Sequence, residues 1–191
     1  MEKITLGYAM TGSFCTFEKS IAEMARLSSM GYDLLPVMSE NAYSTSTRFG
    51  KARDIVARIE NICGKSVIHT IPGAEPIGPK EMCDLLLVAP CTGNTLSKIA
   101  LGITDTPVTM AVKSQLRIGA PVLLAVASND ALGASGENIA RLMNRKNIYF
   151  VPMSQDNPVA KPNSLVAHFE KIPDCVEQAL KHRQPQPVFC E

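Results

Sequence analysis

Apolar segments of strand length alternate with amphipathic segments along the chain, and this alternation predicts an α/β domain with a doubly wound parallel sheet. The apolar segments are continuous rather than alternating, as expected for strands covered on both faces of a sheet. The five clearest begin at Ile4, Asp33, Asp84, Pro121 and Asn147. A weaker segment, SVIHTI, begins at Ser66, so we predict a single Rossmann-like sheet of about six strands.

Helical patterns occupy the gaps between these strands. CTFEKSIAEMARLSSMG places Phe17, Ile21, Met24 and Leu27 on one face, and RFGKARDIVARIENICG ends at Gly64, a residue suited to a helix C-terminus. Further helices are predicted in GNTLSKIALG, VTMAVKSQLRIG and GENIARLMNRK and in residues 174–181. No repeat or linker divides the pattern. We expect one domain over residues 1–183 and a loosely ordered tail over residues 184–191.

The composition excludes several classes of protein. Hydrophobic residues make up 46% and charged residues 19% of the 191 residues, and the net charge is +1, which gives no basic stripe for nucleic acid or an anionic membrane. No apolar segment approaches the ~20 residues of a membrane span. The six cysteines form no close pairs and no secretory signal precedes them, so we expect reduced thiols in the cytoplasm. The three histidines are isolated, so no metal site is expected.

Polar residues follow the first two strands, at the edge of the sheet where α/β proteins bind ligands. Thr11, Gly12 and Ser13 precede a helix, but the Lys of a phosphate-binding P-loop and the GxGxxG fingerprint of dinucleotide sites are both absent. These residues either hold a phosphate at the helix N-terminus or cap the helix. Ser39 follows the second strand and has the same two interpretations.

The segment PCTGNTLSKIALG follows the third clear strand. Thr92, Gly93, Asn94 and Thr95 supply more capping-type residues than one helix start needs, because a single side chain satisfies only one or two of the free N–H groups. Together with the Thr11–Ser13 loop, they place two polar helix starts at one edge of the sheet. This combination predicts a site for a phosphate-bearing cofactor.

These segments carry a resemblance to a known family. TGS, the Ser after the second strand, PCTGNTLSKIALGITD and a late PM followed by a polar loop occur in this order. The chain thereby resembles the homo-oligomeric flavin-containing cysteine decarboxylases, a superfamily that also includes flavin prenyltransferases. The most specific segment spans residues 90–105, which is similar to the family's PxxANTxxKxxxGxxD signature. The resemblance implies a flavin-containing decarboxylase-type fold and a homo-oligomer, either a trimer or a dodecamer.

The resemblance also implies site residues. Flavin mononucleotide (FMN) would be the cofactor, with Thr11, Gly12 and Ser13 at its phosphate or ribityl chain and Ser39 as a further contact. Thr92, Gly93, Asn94 and Thr95 would line the site from the other side. Met153, Ser154 and Asn157 correspond to the family's substrate clamp and lie in or beside a segment that is either a ligand-covering loop or a plain surface loop.

The chain departs from the family at residues that its chemistry needs. The proton-transfer His of the decarboxylases is replaced by Pro76, and the Arg-Glu pair of the prenyltransferases is replaced by Ser128-Asn129. Cys91 has no base paired with it in the sequence, which favours a buried thiol over a nucleophile. No catalytic residue can therefore be assigned from the sequence.

Three functions remain open at this stage. The resemblance is strongest to one component of a two-component oxidoreductase that aromatises a cyclic dicarboxylate, in which the partner component carries NAD(P). The alternatives are a non-catalytic activator of that partner, and an independent decarboxylase or prenyltransferase. Cationic candidates for a dicarboxylate, each of which also suits an ordinary exposed position, are Lys98, Lys113, Arg117 and Lys161.

Overall fold

The computed structural model describes residues 3–190 as a seven-stranded sheet with helices packed on both faces. The strands are β1 (Thr5–Met10), β2 (Asp33–Met38), β3 (Leu85–Cys91), β4 (Val122–Ser128), β5 (Ile148–Phe150), β6 (Met153–Ser154) and β7 (Leu165–Ala167). The helices are α1 (Phe17–Ser29), α2 (Glu40–Ser44), α3 (Ala52–Cys63), α4 (Ile71–Ala74), α5 (Gly93–Leu101), α6 (Pro107–Arg117), α7 (Gly136–Met143) and α8 (Ile172–Leu180).

The sheet has a parallel body and an antiparallel end. The order β2-β1-β3-β4 is parallel throughout, and β5 lies parallel to the first half of β4. At the end of β4 its neighbour is instead β7, which runs antiparallel and pairs in turn with β6. The predicted doubly wound parallel sheet is therefore confirmed for β1–β5. Its switch point lies between β1 and β3, where ligand sites of this architecture form.

Two predicted strands differ from the observed ones. The SVIHTI segment contributes a single parallel bridge, Val37 to Ile68, because Thr70 already caps the short helix α4, which holds Pro72 in its first turn. The predicted strand NIYFVPM is divided into β5 and β6. Pro152 lies at the division, and its ring nitrogen carries no proton for a ladder hydrogen bond.

The long helices follow their sequence patterns. In α1 the predicted face of Phe17, Ile21, Met24 and Leu27 is buried. Helix α3 ends at Gly64, whose φ of 64° is the left-handed conformation that glycine adopts without strain. The amphipathic period therefore predicts both which side chains enter the core and where α3 ends.

The core consists of two apolar clusters, one on each face of the sheet. One contains Leu6 and Tyr8 with residues from α1, α3 and α8, and the other contains Leu86 and Val88 with residues from α5, α6 and α7. Tyr8 is fully buried and donates a hydrogen bond to the carbonyl oxygen of Ser20 at 2.8 Å, and burial is the main cause of its raised pKa. This bond fixes α1 against β1, beneath the loop that joins them.

Residues 184–190, which the sequence predicts to be loosely ordered, are hydrogen-bonded to the sheet. The Gln184 amide accepts from the N–H of Phe150 at 2.9 Å and donates to its carbonyl oxygen at 2.8 Å. Met153 donates to Val188 at 3.0 Å and accepts from Cys190 at 2.9 Å. The segment therefore extends the pairing around β5 and β6, which the sequence did not indicate because its Pro and Gln residues carry no strand pattern. Residue 191 lies outside the described part.

Candidate cofactor site

The loops after β1 and β3 are joined directly by Thr11. Its hydroxyl donates to the carbonyl oxygen of Pro90 at 2.8 Å and accepts from the N–H of Thr92 at 3.0 Å. The N–H of Thr11 also donates to Pro90, at 3.3 Å, and only 1% of Thr11 is exposed. The two polar loops that the sequence predicts at one edge of the sheet are therefore brought together, and Thr11 holds them in place.

Helix α5 begins at this junction with free N–H groups. The hydroxyl of Thr92 accepts from the N–H of Thr95 at 3.3 Å and thereby caps the helix. The N–H groups of Gly93 and Asn94 make no hydrogen bond with any of residues 3–190, as expected for a first helical turn. The Asn94 side chain is exposed. This end of α5 therefore offers donors and the positive end of a helix dipole.

The Gly12–Ser13 segment is free of the capping role that it would have in a plain turn. A 3₁₀ turn at Phe14–Thr16 precedes α1, and neither Ser13 nor Thr16 caps a helix with its side chain. The Ser13 hydroxyl lies 3.9 Å from the Cys15 sulfur, and among residues 3–190 no acceptor is found for the N–H of Gly12. The Gly12 N–H and the Ser13 hydroxyl thus remain available to a ligand, whereas the Ser13 N–H donates to the carbonyl oxygen of Thr11 at 2.7 Å.

Ser39 lies beside the same junction, and its hydroxyl oxygen already accepts a hydrogen bond. Its N–H donates to the carbonyl oxygen of Met10 at 3.1 Å, and its side chain accepts from the N–H of Ala42 at 3.4 Å. Ser39 therefore caps α2, the alternative that the sequence left open for it.

Two serines and one aspartate, which sequence analysis did not assign to the site, pack against Gly93. A Cβ atom at Gly93 would lie 2.6 Å from the Ser128 hydroxyl, 2.9 Å from Asp130 Oδ1 and 2.9 Å from the Ser135 hydroxyl. Both serine hydroxyls donate to the Asp130 carboxylate. Gly93 is required by this close approach, and the negative charge favours an anion position on the Thr11 side of α5. The polar residues directly after β4 are the feature of the sequence that could have indicated this contribution to the site.

The three predicted clamp residues have different environments. Met153 is fully buried in the core, whereas Ser154 is half-buried and hydrogen-bonded to His168 at 3.0 Å. Asn157 is exposed and accepts from the N–H of Ala160 at 2.9 Å, which shapes its own loop. Of the three side chains, Ser154 is therefore the one placed at the sheet edge with a polar partner.

The four cationic candidates for a dicarboxylate are spread over the molecule. Lys98 pairs with Asp105 at 2.8 Å, and Lys161 pairs with Asp156 at 2.9 Å. Lys113 and Arg117 line a cavity of ≈ 620 Å³ that also includes Gly102, the C-cap of α5. Because α5 is nine residues long, this cavity lies roughly 13 Å from the Thr92 end. The structure does not gather these four cations at one site.

Cys91 is fully buried, and burial raises the pKa of its thiol to about 12. The thiol therefore stays protonated at neutral pH, which agrees with a core role rather than a nucleophilic one. Within residues 3–190, no three His, Cys, Asp or Glu side chains are grouped to hold a metal ion. None of the helices in this range has the length and apolarity to cross a membrane.

The doubly wound sheet with this donor-rich edge defines an α/β protein of the flavoprotein type. A family model described as Flavoprotein matches residues 1–183, and the chain belongs to this family. The chain is 45% identical, over 97% of its length and 93% of the relative's, to the B subunit of dipicolinate synthase from Bacillus subtilis. It also matches the crystal structure of the B subunit of dipicolinate synthase from Bacillus halodurans, with 42% identity, a TM-score of 0.90 and coverage of 100% and 99% of the two chains.

More distant structures share the fold. Burkholderia xenovorans DmrB, described as a cubic protein cage for redox transfer in complex with FMN, matches with a TM-score of 0.71 at 18% identity, over 94% of this chain and 96% of its own. The FMN-dependent cysteine decarboxylase SpaF matches with a TM-score of 0.67 at 21% identity, over 92% and 97% of the chains. At these identities the likeness concerns the fold alone.

Proposed function

We propose that the chain acts as the B subunit of a dipicolinate synthase and binds FMN where the β1 and β3 loops meet. The observation that carries this proposal is the Thr11 junction, which fixes two donor-rich loops at the switch point of the sheet. The relatives from the two Bacillus species, similar over almost the whole chain, support the same assignment.

The residues at the junction suit the phosphate and ribityl chain of FMN. Four donors at the junction are available: the N–H groups of Gly12, Gly93 and Asn94 and the hydroxyl of Ser13. Within residues 3–190 the three N–H groups have no hydrogen-bond partner, and the Ser13 hydroxyl has only the Cys15 sulfur at 3.9 Å. Phosphate binds best to several such donors beside a helix N-terminus. The Asp130 carboxylate lies next to Gly93, so the phosphate belongs nearer to Thr11 and Ser13. Ser39, which caps α2, would mainly fix the start of that helix beside the site.

The reaction that we propose is the oxidation of dihydrodipicolinate, or of its hydroxylated tetrahydro precursor, to dipicolinate. FMN supplies a two-electron acceptor when bound, and NAD(P) on the A subunit of the synthase supplies the second redox centre. The absence of GxGxxG from this chain fits that division between the two subunits. The protein would act as a homo-oligomer together with the A subunit, in the mother cell of a sporulating bacterium.

In this proposal the chain's own residues bind FMN and orient it relative to the substrate. Thr11 fixes the spacing of the two loops, and Gly93 lets the start of α5 approach the β4 loop. Ser154, in β6, would contact the substrate. The side chain at Pro76, within the 3₁₀ turn Glu75–Ile77, cannot transfer a proton. This loss argues against an independent decarboxylase.

The second candidate is a non-catalytic activator that keeps the fold to assemble with the A subunit. Pro76, in place of the family's proton-transfer His, is the observation that favours it. One preparation separates the two candidates: the purified chain is titrated with FMN by visible absorption, and dipicolinate formation in the presence of the A subunit is measured with and without FMN.

We expect a yellow complex and FMN-dependent turnover by the two subunits together. A chain that takes up no FMN but still stimulates the A subunit would establish the activator instead. A chain that neither binds FMN nor affects the A subunit would contradict both candidates.

A further inference from the structure

Ser154, His168 and Glu170 form a connected set of side chains. The Ser154 hydroxyl lies 3.0 Å from His168 Nε2, and His168 Nδ1 lies 3.1 Å from Glu170 Oε1. A carboxylate at Nδ1 fixes the proton on that nitrogen and leaves Nε2 as an acceptor for the serine hydroxyl. The set thus has the order hydroxyl, base and orienting carboxylate that enzymes use to move a proton.

The set lies at the same edge of the sheet as the candidate cofactor site. Ser154 in β6 pairs with Val166 in β7, and Val166 pairs with Ala127 near the end of β4. Two strand spacings put Ser154 roughly 10 Å from β4. Ser128, the next residue of β4, belongs to the cluster against Gly93. Ser154 therefore lies at the same end of the sheet as this cluster, with strand β7 between them.

The surroundings leave the set accessible and polar. The His168 side chain is 28% exposed and that of Glu170 66%, while Ser154 is half-buried. Arg26 donates to the backbone carbonyl oxygen of Glu170 at 3.2 Å and pairs with Glu23. The Glu170 carboxylate therefore remains available to the imidazole.

The loop between β6 and β7 is pinned by its own contacts. Gln155 donates to the Pro162 carbonyl oxygen at 2.7 Å, and Asp156 pairs with Lys161. Asp156 raises the pKa of Lys161, first through this hydrogen bond, and Cys15 adds a smaller contribution of the same sign. Ser154 lies at the base of this loop, directly before Gln155.

We propose that Ser154, His168 and Glu170 form the proton relay of the site, in place of the imidazole that Pro76 has replaced. This inference rests on the proposed function. Aromatisation of a dihydropyridine removes a hydride and a proton. A bound flavin or the partner's NAD(P) would supply the hydride acceptor, and the proton would pass through Ser154 Oγ to His168 Nε2. Glu170 holds the Nδ1 proton and stabilises the imidazolium that forms.

The competing explanation is a hydrogen bond that only fastens β6 to β7. Both explanations predict some loss of stability in a variant, so turnover must be measured on folded protein. Two features separate them. If His168 transfers a proton, free imidazole can take its place and restore turnover in a variant that lacks the side chain. Loss of a proton-transfer group also lowers kcat more than it changes KM.

The test uses the full chain together with the A subunit of the synthase, and formation of the aromatic dicarboxylate is measured. His168→Asn and Ser154→Ala are compared with His182→Asn, a matched control because His182 also hydrogen-bonds a hydroxyl, that of Tyr149, at 3.3 Å. Asn also tolerates the positive φ of 54° that the structure has at residue 182. Thermal unfolding checks that each variant is folded, and Glu170→Gln serves as a milder second variant.

We expect kcat to fall about 100-fold or more in His168→Asn and Ser154→Ala, with little change for His182→Asn. A further variant, His168→Ala, leaves space for a free imidazole, and imidazole added to it should restore a measurable part of the turnover. If the wild-type pair is active and the folded variants keep full turnover, the relay is wrong while the proposed function stands. If the wild-type pair makes no product, the proposed function fails and the relay with it.

Discussion

The hydroxyl of Thr11 bridges the ends of two adjacent strands, since it donates to the carbonyl oxygen of Pro90 at 2.8 Å and accepts from the N–H of Thr92 at 3.0 Å. Parallel strands β1 and β3 are otherwise paired only up to Ala9 and Val88. Beyond that point the pairing of β3 with β4 also shifts register, between Val88 and Cys91. Beyond the regular pairing, Thr11 thus joins the two strand ends through its buried side chain and its backbone N–H, at the edge where the cofactor is proposed to bind.

Thr11→Val is expected to loosen this edge. Valine keeps the shape of the side chain but leaves the partly buried Thr92 N–H without its acceptor, which costs about 1 kcal/mol of unfolding free energy. The start of α5 would also lose its fixed position relative to the β1 loop, so FMN affinity should fall together with stability. Chemical denaturation and FMN titration measure the two effects.

Thr104→Val is the matched control for this change. Thr104 is half-buried, and its side chain makes no hydrogen bond with residues 3–190. Its substitution should leave both quantities nearly unchanged. Equal losses in the two variants would show that the Thr11 hydroxyl has no special role.

Gly93→Ala should destabilise the protein and displace the start of α5. The added Cβ would lie within 2.9 Å of the Ser128, Asp130 and Ser135 oxygen atoms, so these groups or the helix must move. Overpacking of this kind costs about 1–3 kcal/mol. Thermal unfolding and FMN titration are the measurements.

Gly12→Ala provides the comparison for folding. Its Cβ would be 3.6 Å from the Phe14 ring, an ordinary contact, so its stability should be close to that of the wild type. A Gly93→Ala variant as stable as Gly12→Ala would mean that the Asp130 cluster moves aside without cost.

The sequence predicted the parts of this structure that local patterns determine. The period of α1 identified Phe17, Ile21, Met24 and Leu27 as its buried face, and polar residues after apolar strands identified the loops that Thr11 joins. In both cases the signal lies within one continuous segment.

Contacts that depend on tertiary pairing were not predictable in this way. Ser154 and His168 meet only because β6 and β7 pair across an intervening loop, and Asp130 reaches Gly93 from the end of a different strand. The opposite error occurred at Ser66, where an apolar segment of strand length forms one bridge because α4 begins directly after it. Ser39 was compatible with two roles, and only its contact with Ala42 identifies the cap.

The buried thiol of Cys91 should make folding sensitive to alkaline pH. Burial raises its pKa from 9.0 to about 12 in the folded chain. An unfolded chain therefore releases this proton at a lower pH than the folded chain does. The contribution of the thiol to stability is full below pH 9 and is lost as pH rises from 9 toward 12, by about 1.4 kcal/mol per pH unit.

Cys91→Ala should reduce the alkaline slope by the share of one thiol, because burial also raises the pKa values of Cys63, Cys83 and Cys175. It also lowers stability at neutral pH by leaving a small cavity. Cys15→Ala removes an exposed thiol instead and should leave the alkaline slope as it is in the wild type. Urea unfolding across this pH range gives the slopes. The same alkaline slope in Cys91→Ala and wild type would contradict the assignment.

Asn94→Asp is expected to change FMN affinity and stability in opposite directions. Asn94 is the second residue of α5, where a carboxylate interacts favourably with the helix dipole and adds about 0.3–1 kcal/mol of stability. The same charge would repel a phosphate held by the neighbouring N–H groups, so FMN binding should be strongly weakened. Ser13→Glu places a negative charge on the other loop and should also abolish binding without unfolding the protein.

Asn144→Asp separates a local effect from the mere addition of a negative charge. Asn144 is exposed at the C-terminal end of α7, where a carboxylate meets the negative end of the dipole. This variant should lose a little stability and bind FMN as the wild type does. If Asn94→Asp and Ser13→Glu both keep wild-type FMN affinity, these two residues do not belong to the site. If only Asn94→Asp keeps wild-type FMN affinity, the phosphate is held by the Gly12–Ser13 loop alone. The Asp130 carboxylate, which already makes the other side of α5 unfavourable to an anion, would account for that result.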